Sequence, residues 1–137
     1  MYLLDTNVIS EVRKPRPHGA VLAWLASLPR NQVSLSAVTI GELQTGIELT
    51  RRQDSAKADL IEAWLKQILV EYAVIPMDSS CFRQWAKFMS GRSGDQTNDA
   101  MIAATARVHG LTVVTRNVRD FEPFDVPVLD PFVTTHD

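Results

Sequence analysis

The chain has 137 residues, 45% of them hydrophobic, with a formal charge of −2 and a pI near 5.9. That is enough apolar material for one compact domain spanning residues 1–137, and too little positive charge to gather nucleic acid by bulk attraction. A single cysteine, Cys81, excludes an internal disulfide, and the short apolar runs fall far below the ~20 residues of a membrane span, so a cytoplasmic protein with no membrane partner is expected.

Tyr2–Leu4 reads as a short buried strand, and Thr6 or Asn7 is positioned to cap a helix begun by Val8, Ile9 and Val12. Lys14-Pro15-Arg16-Pro17 ends that helix. From Gly19 onward, Val21, Leu22, Trp24, Leu25 and Leu28 recur at helical spacing as far as Pro29. Val33, Leu35 and Ala37 alternate with serines, which predicts a second strand, and residues 39–43 lead into a helix with Glu42 in its first turn or two. A long helical pattern between residues 49 and 72 rests on Leu60, Ile61, Trp64, Leu65, Ile68 and Leu69, behind a polar segment at 51–57. Residues 73–77 and 111–114 read as strands, 81–89 and 101–108 as helices, and 127–129 as an edge strand that tolerates Pro127. Gly110 is placed to stop the last long helix in the left-handed conformation. Strands and helices that alternate in this way imply an α/β fold, a central, mostly parallel sheet flanked by helices on both faces.

Four acids occupy comparable places in the pattern. Asp5 follows the first strand, Glu42 opens the helix after the second, Asp99 opens "DAMIAATARVHG", and Asp120 follows "LTVVT" by the turn "RNVRD". Strand ends that lead into helices all point one way in a parallel sheet, so the four are expected to converge. Converged carboxylates repel one another unless a cation neutralises them, and an oxygen-only donor set suits Mg2+ or Mn2+. Such an ion lowers the pKa of a bound water and orients a phosphodiester, which is the apparatus of a metal-dependent nuclease.

Taken singly, each acid has a plainer reading. Asp5 and Asp99 could cap helices, Glu42 could serve the helix dipole, and Asn117 with Asp120 could be turn residues. His18, His109 and His136 lack metal-ligand spacing and read as surface or helix-end residues, Cys81 as a core residue, and Trp24, Trp64 and Trp85 as core or dimer-interface residues. Arg13, Lys14, Arg16, Arg116 and Arg119 are the best-placed cations for phosphate contacts.

The stretches "LLDTNVIS", "SAVTIGEL", "NDAMIAATARVHGLTVVTRN" and "RDF", in this order across nearly the whole chain, resemble the motifs of PIN-domain ribonucleases, specifically the VapC-type toxins of toxin–antitoxin pairs. The resemblance implies a PIN-like fold and a Mg2+- or Mn2+-dependent endoribonuclease that cleaves RNA. Asp5, Glu42 and Asp99 match its three core acidic positions. Asn117 stands where many members carry a fourth acid, and Asp120 is near enough in sequence to supply that charge. Thr6 and Thr115 match hydroxyls that orient the acids. A homodimer and a cognate antitoxin whose tail covers the acids are further implications, with operator DNA bound only indirectly through the antitoxin. Two other classes remain open: a catalytically degenerate PIN-like binding module, for which Asn117 speaks, and a phosphatase with an aspartate nucleophile, against which Asn7 speaks.

Overall fold

A computed structural model describes residues 1–133 of the chain. Among them, five short strands, β1 (Tyr2–Leu4), β2 (Val33–Ser36), β3 (Ala73–Ile75), β4 (Thr112–Val114) and β5 (Val128–Leu129), form one sheet in the order β3-β2-β1-β4-β5. Every pairing is parallel, and Leu4 at the centre lies between Leu35 and Val114. Seven helices connect and cover the strands: α1 (Thr6–Arg13), α2 (Gly19–Ala26), α3 (Ala37–Arg51), α4 (Ser55–Glu71), α5 (Ser79–Met89), α6 (Thr97–His109) and α7 (Val118–Phe121).

Strand alternation divides the core in two. Leu3 points into one layer with Ala100, Ile102, Ala103 and Ala106 of α6 and with Phe121 and Phe124; Leu4 points into the other with Val8, Ile9 and Val21 from α1 and α2. Both leucines are fully buried, which fits a three-residue strand in the middle of a sheet covered on both faces. The alanines of α6 let that helix approach the sheet closely. No helix among the described residues is long and apolar enough to cross a membrane.

Several local expectations need correction. The cap of α1 is Asp5, not Thr6 or Asn7, because the Asp5 carboxylate accepts from the Thr6 N–H while Thr6 already has helical geometry. Ala37 belongs to α3 and not to β2, since the Ser36 hydroxyl accepts from the Val38 N–H and starts the helix at Ala37, two residues before Thr39. The long helical pattern is broken at Asp54, whose side chain caps α4, so Leu49 lies on α3. Asp99 caps nothing. Gln96 holds the N-cap position of α6 without a side-chain bond, which leaves Asp99 as a first-turn acid. Asp120 lies in α7, not in an open turn. Gly110 does end α6 in the left-handed region, at φ 65°. The tryptophans pack against the core layers from its edge, as expected. Glu11, not singled out by its sequence position, is 6% exposed and accepts from Lys14 Nζ (3.0 Å) and the His18 N–H (3.1 Å), folding the proline-rich break back onto α1.

Candidate active site

β1 feeds directly into the site. After Leu4, the Asp5 N–H donates to the Val114 carbonyl (2.8 Å), which continues the β1–β4 ladder by one residue. Asp5 then caps α1 with Oδ1, accepting from the Thr6 N–H at 2.8 Å. Its Oδ2 accepts from Thr115 Oγ1 at 2.8 Å and from Asn7 Nδ2 at 3.2 Å. The carboxylate is therefore buried but well supplied with donors. The Thr115 bond joins residues 110 apart and crosses from β1 to β4, where the order of the sheet reverses; in open α/β sheets that is where ligands bind.

Glu42 reaches the same region from the second turn of α3. Its Oε1 accepts from Thr6 Oγ1 at 2.8 Å, and that hydroxyl also lies 3.1 Å from Oγ1 of the buried Thr39. Asp99 arrives from the first turn of α6 and Asp120 from α7, the former half-buried and the latter exposed. The carboxyls of Asp99 and Asp5 feel their acidic neighbours. Burial first, and then the charges of Asp5, Asp120 and Glu42, push the Asp99 carboxyl up to about 6. Burial also raises Asp5; the bonds from Thr115 and Thr6 oppose the rise, and Glu42 and Asp120 add to it.

None of the four acids has an ion pair among the described residues, where the recorded pairs involve Glu11, Glu48, Asp59 and Glu62. Hard oxygen donors with uncompensated negative charge, one of them buried, fit a divalent cation of the Mg2+ or Mn2+ class. Glu42 and Asp99 line a polar recess of about 380 Å³ with Asp95 and Asn98. Beside it, Glu42 also borders an apolar groove of about 430 Å³ lined by Val38, Met77, Phe82 and Met101.

The remaining sequence candidates divide clearly. Thr6 and Thr115 do orient acids. Asn117 donates its backbone N–H to Thr115 Oγ1 (3.0 Å), while its side chain is exposed. Arg13 lines a recess with Thr6, Ser10 and Glu42, and Arg116 follows Thr115 with its guanidinium 4.6 Å from the Phe132 ring centre. Lys14 is taken up by Glu11, and Arg16 and Arg119 are exposed. His18 caps α2 and His109 ends α6, while His136 lies outside the described residues. Sequence reasoning gave no place in the site to Asn7, which it read as a helix cap, or to Thr39. Asn7 ties the two strand ends together, its amide donating to Asp5 while its Oδ1 accepts from the Arg116 N–H at 3.2 Å. The only available signals were their positions, two residues after Asp5 and three before Glu42 on the same helix face.

The family model described as PIN domain matches residues 2–125. The chain is similar to toxin FitB of Neisseria gonorrhoeae, 39% identical with 96% of this chain and 99% of that protein covered. It is similar also to VapC ribonuclease Y4jK of Sinorhizobium fredii, 33% identical over 96% and 98%. Among solved structures, FitAB bound to the IR36 DNA fragment superposes with a TM-score of 0.86 at 35% identity, covering 99% of each chain. A toxin–antitoxin complex from Klebsiella pneumoniae gives 0.72 at 25% identity, covering 96% and 98%.

Proposed function

The chain belongs to the PIN domain family, and on that premise we propose that, as one PIN domain, it is a Mg2+- or Mn2+-dependent endoribonuclease acting in the cytoplasm as the toxin of a toxin–antitoxin pair. The observation that carries this reading is that Glu42 is bonded to Thr6, the neighbour of Asp5, and lines one recess with Asp99, while none of the four acids has an ion pair among the described residues. Asp5, Glu42 and Asp99 would hold the ion, with Asp120 completing the set. When bound, an ion of this class supplies positive charge to a phosphodiester and makes water a better nucleophile at neutral pH.

The protein's own residues do the remaining work. Thr115 and Asn7 hold the Asp5 carboxylate in one orientation and Thr6 does the same for Glu42, so the acids need not reorganise when RNA arrives. Asp120, exposed on α7, orients the attacking water. Arg13, which shares a recess with Glu42, and Arg116, next to Thr115 in the chain, would contact backbone phosphates, and the apolar groove at Phe82 would take an unpaired base. The relatives named toxin and VapC ribonuclease, and the neighbour that is a toxin–antitoxin complex, support a cognate antitoxin; its covering of the acids is part of the proposal. The DNA-bound FitAB neighbour supports operator binding through that partner; a homodimer of this chain is part of the same proposal.

The test is cleavage of a fluorogenic RNA by the purified, antitoxin-free protein with Mn2+, with Mg2+ and with EDTA, beside Asp5→Asn. Metal-dependent cleavage that falls more than about 100-fold in a folded Asp5→Asn protein is expected. Cleavage that survives both EDTA and the substitution would sink the assignment. Failure of Mn2+ to raise the melting temperature would instead favour a binding module without catalysis.

A further inference from the structure

At the end of α6 away from Asp99, a second group of metal-binding side chains comes together. Asp78 caps α5, its Oδ1 accepting from the Cys81 N–H at 3.0 Å. A cap residue and the third residue of its helix lie on the same side, so this bond sets the carboxylate beside the Cys81 thiol. α5 packs against α6, whose last residue is His109. One ligand atom from each of Asp78, Cys81 and His109 lies within 4.8 Å of the others. Capping accounts for Asp78 over Cys81. It does not account for an imidazole delivered to the same place from the far end of another helix.

We infer that Asp78, Cys81 and His109 form a second cation site, selective for a borderline-soft divalent ion of the Zn2+ class. A tetrahedral ion with bonds of about 2.0–2.3 Å sets its donors roughly 3.3–3.8 Å apart, a modest contraction from the present spacing. Cys81 is fully buried, whereas Asp78 and His109 are exposed, the carboxylate held beside the thiol by its cap bond and the imidazole open to turn inward over it. Sulfur, imidazole and carboxylate donors suit Zn2+ and discriminate against Mg2+, which the oxygen-only set around Asp5 prefers. Three protein donors leave one position for water, which makes the ion exchangeable. Asp99 and His109 stand ten residues apart on α6, or about 15 Å of helix rise, so the two sites are separate. An ion here would tie the start of α5 to the end of α6, clamping the helix that carries Asp99.

The experiment is Co2+ titration of the reduced, tag-free full chain, followed by absorption. Four-coordinate Co2+ bands with thiolate charge transfer are expected in the wild type and in Asp5→Asn, displaced by Zn2+. They are expected to vanish in Cys81→Ser, and His109→Gln is expected to bind Co2+ at least about tenfold more weakly. Zn2+ is expected to raise the melting temperature of the wild type and of Asp5→Asn, but not of His109→Gln. His109 is exposed, so its variant keeps the test sound if Cys81→Ser does not fold. Absence of a thiolate band in folded wild type at millimolar Co2+ would overturn the site, as would a band that persists undiminished in His109→Gln and Asp78→Asn. Because Asp5→Asn removes the acid site alone, failure of the nuclease reading and failure of this one remain distinguishable.

Discussion

The hydroxyl of Thr115 donates to Asp5 and accepts from the backbone of Asn117, so one buried oxygen positions a carboxylate and starts the segment that leads to Asp120. Thr115→Val keeps the shape and removes the donor. A hydrogen bond to a charged group is worth about 1.5–3 kcal/mol, and a loss of that order is expected in urea unfolding, with kcat reduced about 10–100-fold. Asp99 makes a pH prediction. Its folded-state carboxyl titrates at about 6 against an ordinary 3.8, so between those values the folded chain holds more protons than the unfolded one. Stability of the metal-free protein is therefore expected to fall as pH rises through that window and to level off above it. Asp99→Asn is expected to flatten the slope, and Mg2+ to offset the loss near neutral pH; urea midpoints with EDTA or Mg2+ at several pH values check both. At this scale the acids were legible because their positions repeat, strand end after strand end. Asn7 and Thr39 were not, because a lone amide or hydroxyl within a helix carries no periodic signature.

Helix ends are where expectation and structure part company. Asp5 caps α1 and is also a proposed site acid, and the two roles separate by substitution. Asn caps as well as Asp, whereas Asp5→Ala loses the cap at a cost of about 1 kcal/mol. A urea titration of the two variants is expected to show Asp5→Ala the less stable while both are inactive. Gly110 is the second terminus with a measurable consequence. An added Cβ would meet nothing within 4 Å, so the φ of 65° alone sets the penalty. Gly110→Ala is expected to lower stability by about 1 kcal/mol in the same assay, with kcat unchanged since α6 begins, not ends, at the acids. The bodies of the elements could be read from apolar alternation and helical spacing. Apart from Gly110, their ends could not, because Ser36, Asp54 and Asp5 each spend a side-chain oxygen on the backbone, and nothing in the hydrophobic pattern records it.

For the whole molecule, the parallel order explains why acids scattered from Asp5 to Asp120 meet, and this convergence could be expected from the alternation of elements alone. The meeting of Asp78, Cys81 and His109 could not, since it depends on how α5 packs along α6. The charge of −2 also has a consequence for RNA. With Arg13 and Arg116 as the proposed phosphate contacts, about two phosphates of a single strand are neutralised. The slope of log kcat/KM against log salt is then expected near −1.4, and Arg116→Ala should bring it to about half that value. A slope several times steeper would point to a basic surface elsewhere.

The bond between Thr115 and Asp5 also sets a clock during synthesis. Asp5 leaves the ribosome early, but the strand that completes its surroundings follows 110 residues later. At roughly 5–20 residues per second, that interval is about 5–20 s. Throughout it β1 lacks the β4 side of its ladder and Asp5 lacks its hydroxyl donor, so a nascent chain cannot assemble the site before translation is nearly complete. The order of strands along the sequence thus acts as a built-in delay that keeps the acids of an unfinished copy from assembling.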